Sequence, residues 1–311
     1  MIVLGIELSP AGTRAVALDL ESAAVAAEAR VPHAWLDGLP ADYREQDPTK
    51  WIEAVDSAIR QCLATLDGAG GQVAAIGVTG PLRGMVLLDE ANRIVRPTKL
   101  AGDASVRRQA EDLARVFGGA PGLIELAGQC PGADSAAAEC LWLTHHEPAS
   151  FERAANVLTA QDFIAFWLTG ERGTTPASAS ATGLFDIRRR EWCAELLAAI
   201  NPRLAATLPL VTEPEQARGH LRGELASRWG LPAQVVVAAG GAAPMMAALA
   251  AGCVGPGAVA MDLGAETAVL GCGEMPLVDL LGELSGYCAA TGGWLGMATT
   301  QSTAVAPEVV R

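Results

Sequence analysis

Apolar and polar positions alternate over residues 2–8, break at Ser9-Pro10-Ala11-Gly12, and alternate again over 13–20, with Ala15 and Ala17 set against Val16 and Leu18. A period of two interrupted by turn residues predicts a β-hairpin, with Glu7 near the end of its first strand. Residues 25–31 read as a third strand. At Asp47-Pro48 the period changes. An N-cap and a first-turn proline precede Trp51, Ile52, Val55, Ile59, Cys62, Leu63 and Leu66, which fall on one helical face. Residues 73–79 form a short apolar strand ending in Gly80-Pro81-Leu82-Arg83-Gly84, and 85–88 resume β character before a turn at 89–92. This β-α-β order, with glycines at the strand end, places Arg83 and its neighbours at a sheet edge, where ligands often bind.

Asp103 precedes a helix carrying Val106, Ala110, Leu113 and Phe117, and suits either an N-cap or a substrate contact. Helices are predicted at 136–146, at 161–168 with Thr159 as cap, and at 192–200 and 219–229. Between 169 and 182 the Gly, Thr, Ser and Ala content suits a surface loop near a cleft. The chain is organised around residues 234–253, where Val235, Val236 and Val237 lead to Gly240-Gly241 and Pro244 opens an Ala/Met/Leu run: a strand, a tight turn and a helix. No charge occurs over 231–261. Gly-Gly and Pro in mid-run, and Ala in place of Leu or Ile, favour a strand and helix buried between two domains over a membrane span. Residues 258–271 then echo the opening hairpin, which suggests two domains of related topology.

With 311 residues and 50% hydrophobic content, both domains can have a core. A net charge of -13 without a basic block disfavours nucleic acid or an anionic membrane as partner, leaving small molecules or proteins. Seven cysteines, an odd number with no C-x-x-C, read as reduced thiols in a cytoplasmic protein, and the chain opens as a strand with no leader.

The common nucleotide-loop, hydrolase and zinc-protease motifs are absent. His145-His146-Glu147 reads as a helix C-terminus rather than a metal site. The two hairpins are more informative, because successive N–H groups in a turn can cradle phosphate while a nearby acid holds Mg²⁺.

Taken together, the N-terminal hairpin, Glu45-Gln46-Asp47-Pro48, the run from Gly80 to Gly84, Leu87-Leu88-Asp89, Arg96-Pro97, Asp103, Leu141-Trp142, Gln161-Asp162-Phe163, Leu168-Thr169-Gly170, the run from Ala238 to Gly241 and Asp262-Leu263-Gly264 resemble, in order and spacing, the FGGY family of carbohydrate kinases, most of all its xylulose kinases. The resemblance implies an α/β chain. A ribonuclease-H-like, sugar-binding domain of the actin-like ATPase superfamily would occupy 1–241, and the truncated start of a second such domain, which binds nucleotide, would occupy 242–311.

It also implies ATP and Mg²⁺ as cofactors and a pentulose or polyol as substrate. Carried over by position, the substrate-binding residues are Leu82, Arg83 and Asp103. Those facing phosphate are Glu7, Gly12, Thr13, Gly240, Gly241, Gly264 and Thr267, with Glu7 also as the metal ligand. The chain departs from the family pattern in several places. The base position is Ala242, which cannot titrate. The first hairpin has Glu7 for Asp and Ser9-Pro10 for Gly-Thr, so one backbone donor is gone. The second has Ala265-Glu266 for Thr-Ser, and Pro81-Leu82-Arg83 stands for Gln-Met-His. The expectation is a catalytically impaired pseudokinase that binds a sugar or a partner. One alternative is an active kinase using another acid and a partner chain to complete the ATP site; another is a remnant without ligand. Open strand edges after Gly257 further predict a two-fold homodimer.

Overall fold

The computed structural model describes residues 1–66, 68–263 and 266–301. The predicted hairpin is formed by β1 (Ile2–Ser9) and β2 (Gly12–Asp19) and is extended by β3 (Ala24–Pro32), all antiparallel. The chain then runs through α1 (Pro48–Ala64), capped by Asp47, whose carboxylate accepts from the Thr49 N–H. β4 (Val73–Gly80) returns parallel to β1. After α2 (Ala160–Thr169), α3 (Pro176–Ser180) and α4 (Gly223–Trp229), the short strands β5 (Val236–Val237) and β6 (Gly241–Ala242) pair with β4, also in parallel. Three antiparallel strands followed by parallel crossovers is the ribonuclease-H-like order expected.

Strand alternation decides which face is covered. Ile2, Leu4, Ile6 and Leu8 are all buried and pack with Trp51, Val55 and Ile59 of α1, Phe163 and Ile164 of α2, and Leu225 and Trp229 of α4. Helices therefore cover one face of the sheet, and Gly5 and Glu7 on the other are exposed. This leaves the second face open beside Gly5 and Glu7.

α5 (Ala243–Ala250) begins directly after β6, with Pro244 in its first turn. Only part of it is buried, Leu249 being 37% exposed, and no helix among the described residues is long and apolar enough to cross a membrane. A second antiparallel sheet follows, in the order β7 (Val259–Leu263), β8 (Glu266–Gly273), β10 (Trp294–Gln301), β9 (Ser285–Cys288). The echo of the opening hairpin is thus a real hairpin.

The structure corrects three expectations. Residues 170–172 are exposed, but the rest of the predicted surface loop is not, since Thr174, Thr175, Ser178, Ser180 and Thr182 are buried and α3 lies among them. Small side chains allow close approach there, and their hydroxyls satisfy the backbone without water: Ser180 Oγ donates to Ala177 O at 3.0 Å and Thr182 Oγ1 to Ala179 O at 2.6 Å. The helix predicted at 219–229 starts at Gly223, because Gly219 and His220 pair with Val237 and Val236 as an edge strand. Trp192 is likewise in a strand pair with Phe185, and its helix begins at Ala194.

Candidate functional site

The parallel register brings Glu7, Thr79 and Gly241 side by side, one step before Ala242 meets Gly80. Gly240 turns the chain at φ +71°, and a Cβ there would collide with the Val78 carbonyl, so only glycine lets β6 approach β4 this closely. Gly12 is equally confined, a Cβ meeting Val31 O and Pro32. The hairpin turn is fixed from three sides: Ser9 Oγ donates to Gly12 O at 2.9 Å, Gln46 Nε2 donates to Pro10 O at 2.7 Å, and Thr13 Oγ1 lies 3.0 Å from His33 Nε2. Burial holds the His33 imidazole below its usual pKa, so it is neutral at pH 7.

Glu7, Gly5, Thr79 and Gly240 line a cleft of about 440 Å³, together with Met246 and Leu249 of α5. A neighbouring depression of about 450 Å³ carries Glu7, Gly12 and Thr13. Of the predicted phosphate-facing residues, Glu7, Gly12, Thr13, Gly240 and Gly241 are therefore gathered around one strand end. Thr267 is buried on β8 of the second sheet, and Gly264 and Ala265 lie outside the described residues. Glu7 fits as a single carboxylate ligand for magnesium carried in on phosphates, the usual way that ion binds. Among the described residues no group of three or more acid, Cys or His side chains could cage it alone.

The sugar-side residues are arranged differently. Ala242 is 0% exposed and packs in one apolar cluster with Ala177, Ala181 and Met245, against which Leu82 also rests. Arg83 Nε donates to Asp134 Oδ1 at 3.1 Å and its Nη1 to Ala181 O at 2.9 Å, while Asp134 Oδ2 accepts from Gly102 N at 3.3 Å. Asp103 is 2% exposed and serves as an N-cap, accepting from Ser105 N at 3.1 Å and Arg44 N at 2.8 Å and pairing with Lys99 Nζ at 3.3 Å. Lys99 in turn bonds Glu45 at 2.9 Å and lies 4.2 Å from the Trp142 ring centre.

The sequence reading missed Thr79 and Gln161. Both keep a buried side-chain oxygen without a hydrogen-bond partner, Thr79 Oγ1 in the cleft wall and Gln161 Oε1 beside Gly80. A polar residue at the carboxyl end of a parallel strand was the signal for Thr79. Asp134 was also missed, and its pairing with Arg83, 51 positions away, has no local signature.

Residues 2–250 match the FGGY family of carbohydrate kinases, N-terminal domain. The chain is 32% identical to a xylulose kinase of Streptomyces coelicolor over 99% of its own length and 62% of that protein's, and 28% identical to a xylulose kinase of Haemophilus influenzae over 94% and 60%. A crystal structure of a xyloylose kinase from Brucella ovis superposes with a TM-score of 0.91 at 28% identity, over 99% of this chain and 63% of that one. The chain spans about three fifths of the length of these relatives.

Proposed function

Because the chain belongs to the FGGY family of carbohydrate kinases, we propose that it keeps a sugar- or partner-binding role, for a pentulose or polyol ligand, and is impaired in phosphoryl transfer. The observation that carries this reading is Ala242: the position at which the family's base is expected holds a methyl group, wholly buried among apolar side chains. Without a base at that point a sugar hydroxyl keeps its proton. ATP and Mg²⁺ remain the cofactors implied by the family, and Glu7 with the Gly12 and Gly240 turns is where their phosphates and metal would be met. The sugar-binding unit is taken to end at 241, within β6, the last strand of the first sheet and immediately before α5. Seven free thiols support a cytoplasmic setting.

A thermal-shift series with D-xylulose, D-ribulose, glycerol and ATP-Mg²⁺ tests the binding role. A ligand at a hundredfold over its dissociation constant stabilises the native state by about 2.7 kcal/mol, a shift of several degrees. No shift with any sugar at millimolar concentration would remove the binding role and leave a remnant.

One observation favours a second reading, an active kinase with another acid as base. Glu7 is exposed and stands in register with Thr79, one residue from the strand end where Ala242 lies.

The homodimer belongs to the same proposal. β7 is an edge strand on which Val259, Met261 and Leu263 are 67%, 62% and 70% exposed, an apolar edge of the kind that pairs with another chain. Light scattering at micromolar concentration is expected to give about 64 kDa, twice the 32.0 kDa chain mass. A monomer mass would refute the dimer.

A further inference from the structure

Cys253, just after α5, and Cys272, on β8, have sulfurs 3.2 Å apart. The backbone around them is already tied: Cys272 N donates to Ala258 O at 3.0 Å and Gly257 N to Cys272 O at 3.1 Å. Each thiol also points at a carbonyl of the other's neighbourhood, Cys253 Sγ at Ala258 O and Cys272 Sγ at Cys253 O. A disulfide has a sulfur separation of about 2.05 Å, so the two atoms need close by only about 1.2 Å, within the reach of side-chain torsions. Cys253 is buried while Cys272 is partly open, which gives one sulfur that a reagent can reach and one that can resolve the product. Among the described residues no other two sulfurs are in contact.

We propose that Cys253 and Cys272 are a modification site, a dithiol that forms a reversible intramolecular disulfide by exchange with a small disulfide such as oxidised glutathione. Cys272 gives its proton to solvent, and its thiolate attacks one glutathione sulfur and expels the other as thiolate. Cys253, deprotonated in turn, attacks Cys272 Sγ and expels the second glutathione. Two protein thiols lose two electrons and two protons, and one small disulfide becomes two thiols. Burial and the adjacent Cys253 thiol push the Cys272 pKa up to about 11, so exchange is slow at neutral pH and speeds up about tenfold per pH unit through the range 7 to 9. The bond would staple the end of α5 to β8 around the hairpin that carries Asp262. It does not depend on the proposed sugar-binding role.

The test equilibrates reduced protein with glutathione buffers from reduced to oxidised, quenches with N-ethylmaleimide in denaturant so that the buried thiols also react, and digests after Asp and Glu. Asp262 and Glu266 lie between the two cysteines, so a linkage joins two separate peptides. Five of the seven thiols are expected to label in the oxidised protein, with Cys253 and Cys272 peptides joined, and Tm is expected to rise by several degrees over the reduced form. Cys272→Ser should keep six labelled thiols, Cys253→Ser should stop at the glutathione adduct on Cys272 with five labelled, and neither should show the rise of the linked protein. Labelling of all seven thiols at the oxidised end, a glutathione adduct persisting on Cys272 of the unaltered protein, or a link to any other cysteine would overturn the proposal. So would a Tm rise in Cys272→Ser equal to that of the unaltered protein.

Discussion

Purified protein supplied with ATP, Mg²⁺ and D-xylulose is expected to release ADP no faster than a control without sugar. General-base assistance contributes about 10² to 10⁴-fold to a proton transfer, and the methyl group of Ala242 can provide none of it. In the first hairpin Pro10 removes an N–H from the turn that would face phosphate, where catalysis rests on positioning and charge stabilisation. Ala242→Asp is expected to leave turnover at that background. The new carboxylate would enter a site with no exposed surface, beside Ala177 and Met245, and burying it unpaired costs on the order of several kcal/mol. The variant should therefore unfold at lower urea as well as remain inactive. Sugar-dependent turnover of about 1 to 100 s⁻¹, the ordinary kinase range, in the unaltered protein would sink the pseudokinase reading and favour Glu7 or another acid as base, while the same turnover in Ala242→Asp alone would mean that the ATP site is intact.

What could be read in the sequence follows from how local each signal is. The β1 and β2 alternation, the Asp47-Pro48 cap and Pro244 at the start of α5 are decided by neighbouring residues, and each element formed where expected. Residues 174–182 misled because small polar side chains look the same in a loop and in a tight core. The difference is where the backbone partners come from, as when Ser180 Oγ accepts from Cys288 N, 108 positions away. The site divides in the same way. Glu7, Gly12 and Gly240, named through the family resemblance, lie at or beside turns marked by local sequence, and the structure gathers them at one strand end. The engagement of Asp103 by Arg44 N, 59 positions away, and of Arg83 by Asp134, 51 positions away, depends on distant segments and could not be seen. A family pattern marks a position. It does not say whether the side chain there is free.

The buried ionic cluster behind Asp103 carries the second large expected effect. Arg96 pairs with Glu45 at 2.8 Å and Glu147 at 3.0 Å, and lies 3.8 Å from Glu139, while Lys99 serves Glu45 and Asp103. Two cations thus face three fully buried acids and one partly exposed acid. Glu139 Oε1 has no hydrogen-bond partner. Burial raises the Glu139 pKa to about 8 against the pull of Arg96 and Lys99, so the folded protein keeps it neutral at pH 7.

Unfolded, the same carboxyl ionises near its ordinary value of 4.5. Between about pH 4.5 and 8 the native state therefore holds one proton more than the unfolded state, and this group lowers stability as pH rises, by about 1.4 kcal/mol per unit. Glu139→Gln supplies a neutral side chain of similar shape with no proton to lose. Urea unfolding at pH 5 and pH 8 is expected to give nearly equal stabilities at pH 5 and a variant more stable by up to about 4 kcal/mol at pH 8. Arg96→Ala should act oppositely, leaving Glu45 buried with one partner fewer at a cost of about 3 to 5 kcal/mol. If Glu139→Gln kept the pH slope of the unaltered protein, Glu139 would be ionised in the fold and the cluster would be balanced by another proton.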